Sequence, residues 1–305
     1  MLSLILTTIL PIALIIAFGH ACRRSGLIHE GFWPGAERLS YYVFLPSLFA
    51  YGLATADISQ VPVADLARVL IAPTLLIALG LVLARPWVGG ENAAFTSVFQ
   101  GGIRFNNYVG VTAATSMFGS AGLALAAVAN AAIVPTVNVL CVLAFALFSH
   151  RRPSLLGVLR GIVLNPLVVG CALGIALHLS GLHFPPGIGP VVKSFGEAAL
   201  PLGLLCVGAA LDFSSLRSAV RPVLVASLCK FLALPLATLG ACLWWGVGGQ
   251  VAAVAMLFQA LPTASSSYVM ARQMGGDAPL MATIIAAQTL LAIVVLPVVL
   301  AWGLG

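Results

Sequence analysis

Two stretches of this chain set polar and backbone-breaking residues inside long apolar runs. The first carries Gln100, Gly101, Gly102, Arg104, Asn106, Asn107 and Tyr108. The second carries Gln259, Pro262, Thr263, Ser265, Ser266 and Ser267. Proline removes a backbone donor and clashes with the preceding turn, while glycine and asparagine tolerate non-helical dihedrals. Each stretch therefore predicts an interrupted helix. At membrane depth, irregular backbone persists only where it is buried in protein or lines a watery cavity. Half-helix N-termini created this way present free N–H groups and positive dipole ends, which suit an anion. The three serine hydroxyls can instead bond back to their own helix, but Pro262 frees backbone beside them and favours a ligand-facing role for at least one.

The chemistry on offer is reversible binding, not bond-making. His20, His29, His150, His178 and His183 sit at helix ends or in linkers. No nucleophile and base share a depth, so an enzyme is not expected. Cys22, Cys141, Cys171, Cys206, Cys229 and Cys242 are scattered, with neither metal-ligand spacing nor a disulfide framework. They read as small hydrophobes. Neither a cofactor nor a metal is expected.

The elements that must hold these stretches are membrane helices. The chain is 61% hydrophobic and only 7% charged, with a mean hydropathy of +1.11, against about a quarter charged in soluble proteins. About 20 apolar residues cross a bilayer core. Ten such spans can be read, near 2–20, 36–56, 66–84, 92–118, 122–148, 155–179, 190–211, 219–242, 250–273 and 279–302. The first lacks a basic segment before its apolar run and is expected to belong to the fold, not to a cleaved signal peptide.

The spans repeat. Pro11, Gly19, Ser25, Gly26, Leu27, Pro46, Asp57 and Ser59 recur 155 positions later as Pro166, Gly174, Ser180, Gly181, Leu182, Pro201, Asp212 and Ser214. With a drifted register, Arg68 and Pro73 recur as Lys230 and Pro235, and Phe99, Gln100 and Tyr108 as Phe258, Gln259 and Tyr268. Basic residues concentrate in the odd linkers, at Arg23, Arg24, Arg85, Arg151, Arg152, Arg217, Arg221 and Arg272. The positive-inside rule then puts both termini outside the cytoplasm. Five spans per copy make the second copy inverted. The expected fold is thus an all-α integral membrane protein of ten helices in an inverted 5+5 repeat, residues 1–150 and 151–305, with helices 4 and 9 interrupted. Paired interruptions in two halves point to a midplane site and to a transporter. The charge bias accounts for the formal charge of +6, so no nucleic-acid partner is inferred.

Intramembrane ionisable residues are expensive and informative. Arg104 lies deepest; Arg68 reads as snorkelling to an interface; Lys230 reads equally as a structural ion pair or a functional charge. Asp57, Asp65, Glu91, Asp212 and Asp277 fall in or beside linkers, leaving Glu197 as the acid assigned to a span. Basic groups, Asn amides and helix N-termini without a buried acid suit an organic anion carrying a carboxylate. Asn138, beside Pro135, is a further pocket candidate. For Asn130, Asn138 and Gln288 the competing role is an interhelical hydrogen bond, worth about 0.6 kcal/mol on average. Gly170 and Gly174 form a small-xxx-small face, expected to pack within the chain.

Arg104 with Asn106, Asn107 and Tyr108, then Phe118, Gly119 and Gly122, then Pro135 and Asn138, and the Lys230…Pro235 pattern resemble the auxin efflux carrier family. The resemblance covers essentially the whole chain and looks bacterial in type, because the linker at 149–154 is minimal where many plant members carry a long loop. It implies the fold shared with bile-acid sodium symporters. Spans 1, 2, 6 and 7 would form a scaffold supporting a homodimer, and spans 3–5 and 8–10 a mobile transport domain. Asn106 and Asn107 would cross Pro262 beside the substrate. The first break departs from that pattern in having no proline.

The reading that follows is a secondary active or facilitative carrier of a small organic anion, a mono- or dicarboxylate, auxin-like or malonate- or malate-like, working by elevator-like or rocking alternating access in a bacterial inner membrane. Arg104, Asn106, Asn107, Tyr108, Asn138, Pro262, Thr263, Ser265 and Ser266 are its substrate-binding candidates. Gln100, Lys230, Gln259 and Gln288 are candidates for tuning the field or for coupling. The alternatives are a sodium-coupled bile-acid-type symporter and a membrane receptor that does not transport.

Overall fold

A computed structural model describes residues 2–55, 62–88, 91–148, 163–212 and 219–304. Asp57, Ser59, His150, Arg151, Arg152, Ser214 and Arg217 lie outside the described residues. All regular structure within them is helical, and no strand occurs among them. In chain order the helices are α1 (Leu2–Arg24), α2 (Phe32–Leu39), α3 (Leu45–Thr55), α4 (Val63–Leu83), α5 (Arg85–Val88), α6 (Asn92–Ile103) and α7 (Asn107–Phe148). They continue as α8 (Pro166–Ser180), α9 (Ile188–Ala209), α10 (Val220–Leu228), α11 (Leu234–Trp245), α12 (Gly249–Gln259), α13 (Ser266–Met274) and α14 (Ala278–Leu304). Among the described residues five stretches are long and apolar enough to cross a membrane: Val63–Leu83, Asn92–Phe148, Ile188–Ala209, Val220–Trp245 and Ala278–Ala301. Pro166–Ser180 and Gly249–Gln259 are apolar but shorter.

The departures from regular helix have local causes. A π-helical turn, Ser40–Phe44, joins α2 to α3, and another, Cys229–Ala233, joins α10 to α11. Each ends directly before a Leu-Pro pair, Leu45-Pro46 or Leu234-Pro235. A proline has no N–H to give and presses on the carbonyl four residues back; widening the helix by one residue relieves both. Gly119, with φ 59° and ψ −135°, breaks the long run of α7, where sequence expects a boundary between two spans. Those dihedrals are open to glycine and strained for other residues.

Glycines set the closest helix contacts. Gly170 and Gly174 of α8 face the backbone of α3, where an added Cβ would stand 2.7 Å from the Pro46 carbonyl oxygen and 2.8 Å from that of Ala50. The small-xxx-small face therefore packs inside the chain, as expected. Gly19 of α1 and Gly208 of α9 do the same for a second pair, against the carbonyls of Leu205 and Ile16. Arg23 closes that pair by donating to the Ala209 carbonyl at 2.6 Å. Around these seams runs an apolar core that includes Phe49, Leu70, Phe99, Leu204 and Phe258, while Leu14, Leu79, Val169 and Leu236 point outward. An exterior so rich in leucine and valine is what a lipid-facing surface requires.

Candidate functional site

Two helix breaks meet a cavity. α6 ends at Ile103, and Arg104 is extended at φ −74° and ψ 158° before α7 starts at Asn107. Asn106 caps the new helix, its Oδ1 accepting from the backbone N–H of Tyr108 at 3.1 Å and of Val109 at 3.3 Å. The cap stands in for the missing proline: once the chain leaves the helix, a buried amide oxygen satisfies two of the four donors that every helix start leaves unpaired. The second break runs from Ala260 to Ser265, between α12 and α13, and contains Pro262.

Gln288 of α14 ties the breaks together. Its Oε1 accepts from the Thr263 N–H at 3.0 Å and the Thr263 hydroxyl at 2.7 Å, while its Nε2 donates to the Gly101 carbonyl at 2.9 Å. The Thr263 hydroxyl also reaches the Gly101 carbonyl, at 3.0 Å. Thr263 and Gln288 are fully buried. This network fixes one break against the other and satisfies freed backbone groups where water does not reach, as buried polar groups require.

The cavity opens beside this knot, with a volume of about 720 Å³, inside the range of ~300–1,000 Å³ usual for small-molecule sites. Of the sequence candidates, Arg104, Asn106, Asn107, Tyr108, Asn138, Ser265 and Ser266 line it. Pro262 and Thr263 do not. Pro262 faces a small apolar crevice with Ile12 and Val109, and Thr263 is engaged in the network above. Gln259 is likewise spoken for, donating to the Leu70 carbonyl and the Thr74 hydroxyl. Gln100 and Lys230 are buried outside the cavity lining, and their side-chain polar atoms have no hydrogen-bond partner among the described residues. Asn130 bonds the carbonyl of Ala126 in its own helix, not a neighbouring helix. Arg68 pairs with Asp65 at 2.8 Å and lies over the Trp245 ring, half-exposed.

Arg104 is the centre of the lining. Its Nη1 donates to Asn138 Oδ1 at 3.2 Å and contacts Met270 Sδ at 3.1 Å; its Nη2 donates to Ser266 Oγ at 3.3 Å. All three partners are neutral. The ion pairs found among the described residues are Arg23–Glu30, Arg68–Asp65 and Lys193–Glu197, and Arg104 is in none of them. Its guanidinium is held in position by neutral groups, with no ion-pair partner among the described residues. Asn106 Nδ2 and Asn107 Oδ1 also lack hydrogen-bond partners among the described residues.

Against the expectation of a site without an acid, Glu37 of α2 lines the same cavity, together with Arg38, Tyr41 and Tyr42. Its Oε1 accepts a hydrogen bond from the Ser265 hydroxyl. The π turn before Pro46 carries Tyr41 and Tyr42 on this wall, and Asn165, which caps α8, reaches the Tyr41 hydroxyl at 3.4 Å. The signal for Glu37 was in the sequence: an ionisable residue just inside the second apolar span, which by itself marks a functional position.

An all-helical fold with long apolar helices, broken where a polar cavity opens, is that of a multi-pass membrane protein. Comparison with known proteins agrees. A family model described as membrane transport protein matches residues 149–300. An uncharacterized transporter of Methanothermobacter thermautotrophicus is 25% identical over 297 residues, covering 95% of each chain. The second half of the chain thus matches the membrane transport protein family.

Proposed function

We propose that this protein carries a small organic anion, a mono- or dicarboxylate, across the membrane by alternating access. The observation that supports this most is Arg104: a charged guanidinium on the wall of an open cavity, anchored by neutral groups and without a carboxylate partner. Charge-assisted hydrogen bonds from arginine to a carboxylate are among the strongest available to a binding site. Asn107 Oδ1 and Asn106 Nδ2 add unpaired polar atoms at the helix break.

In this reading the ten spans form an inverted 5+5 repeat, with both termini outside the cytoplasm of a bacterial inner membrane. The tight α1–α9 and α3–α8 seams are the scaffold, which also offers a face to a second copy of the chain. The two broken helices and their neighbours move against it. Glycine seams that bring backbones into contact favour a rigid unit, whereas the cavity joins α2, on the scaffold side, to α7 and α13 on the other. Movement between those units alternates access to the cavity.

The test is thermal stabilisation of the purified protein by carboxylates, with and without sodium, followed by uptake of the stabilising compound into proteoliposomes. A ligand that binds only the folded state raises apparent stability with its occupancy. Stabilisation by a carboxylate without sodium, together with uptake, is expected. Stabilisation by sodium but by no anion would favour the symporter alternative, and binding without uptake the receptor.

A further inference from the structure

The cavity holds both signs of charge, and they are not paired with each other. Arg104 bonds Ser266, and Glu37 bonds Ser265, so the guanidinium and the carboxylate are anchored by the hydroxyls of consecutive residues at the start of α13. Consecutive Cα atoms are only about 3.8 Å apart, yet no ion pair forms between the two groups within 4.0 Å. Each charge lacks an ionic partner among the described residues, and each lines the same space. Glu37 uses Oε1 for Ser265; its other carboxylate oxygen is engaged by no hydrogen bond among the described residues.

A site for a plain anion has no use for this acid. A carboxylate on the wall repels an anionic ligand, and an unpaired like charge inside a binding site acts as a rejecting element. A ligand that brings its own cation turns the same group into a contact. Arg38, next to Glu37, also lines the cavity, so the wall offers two positive groups and one negative. Two carboxylates and one ammonium are its charge complement. Resting on the organic-anion reading above, we infer that the preferred substrate is an amino-carboxylate. Its carboxylate meets Arg104 and its protonated amine meets Glu37, with acidic amino acids the closest match.

The test uses matched ligand pairs that differ by the amine alone: succinate and aspartate, glutarate and glutamate, indole-3-propionate and tryptophan. Affinities are measured on the full-length protein in lipid nanodiscs. In at least one pair the aminated member is expected to bind about tenfold more tightly, the effect of one close charge pair at a partly desolvated site. Glu37→Gln is expected to erase that preference. Glu37→Asp, which keeps the charge, retains a preference. Amine-free members that bind as well as their aminated partners overturn the inference and leave the organic-anion reading intact, as does an amine preference that survives Glu37→Gln. Binding by no member of any pair to folded protein overturns both. The wild-type comparison needs no variant, so a misfolded Glu37 substitution does not shield the inference.

Discussion

Replacing Arg104 by Gln separates binding from folding. In the wild type the guanidinium satisfies Asn138 Oδ1 at 3.2 Å and Ser266 Oγ at 3.3 Å, both on the cavity wall. Water in the cavity can take over those bonds, so the loss of fold stability is that of ordinary exchanged hydrogen bonds, about 1 kcal/mol. Binding is different. No carboxylate among the described residues forms an ion pair with Arg104, so its guanidinium is open to a ligand carboxylate. A hydrogen bond to a charged group contributes roughly 1.5–3 kcal/mol, which corresponds to a Kd about ten to 150 times weaker in Arg104→Gln. Arg104→Lys is expected to fall between, because an ammonium keeps the charge but not the planar fork that reaches Asn138, Ser266 and a ligand together. Titration calorimetry with the best stabilising carboxylate gives the affinities, and a melting curve without ligand gives the stability. An Arg104→Gln protein that binds the carboxylate within twofold of wild type would refute the assignment of Arg104 as the anion contact.

Adjacent asparagines are expected to behave oppositely. Asn106→Ala removes the cap of α7 and leaves two buried N–H groups unpaired, lowering stability by about 1–2 kcal/mol and the melting temperature with it. Asn107→Ala removes an oxygen without a hydrogen-bond partner among the described residues, so uptake is expected to fail while the melting temperature holds. Gly208→Ala pushes a methyl group into the Ile16 carbonyl across the α1–α9 seam. Overpacking of this kind destabilises by about 1–3 kcal/mol, a loss readable as a lower melting temperature with ligand affinity in surviving folded protein unchanged.

Much of the site was legible in the chain because breaking a helix needs particular residues. Asn106 and Asn107 announced one break and Pro262 the other, and non-helical stretches lie at 104–106 and 260–265, whereas Gly101 and Gly102, expected at the first break, stay helical in α6. Gly170 and Gly174 announced a close helix contact, since only glycine lets two backbones approach so far. What spacing cannot tell is direction. Thr263 and Gln288 have the composition of ligand contacts, yet both turn inward to satisfy the backbone that the breaks released. Asn106 was expected to hold a ligand through its amide, but its oxygen caps α7 and only its nitrogen is left without a partner.

Composition and periodicity determined the solvent. With 7% charged residues and apolar runs of membrane length, the chain can satisfy its backbone only as helices. Which side chains share the cavity was decided by tertiary structure alone. Glu37, Arg104 and Ser265 are far apart in sequence, and the packing that brings α2, α7 and α13 around one space depends on long-range seams no local pattern encodes. Helix formation is a short-range matter of hydrogen bonds within a few residues; a binding site is a coincidence of surfaces, fixed only when the helices have packed.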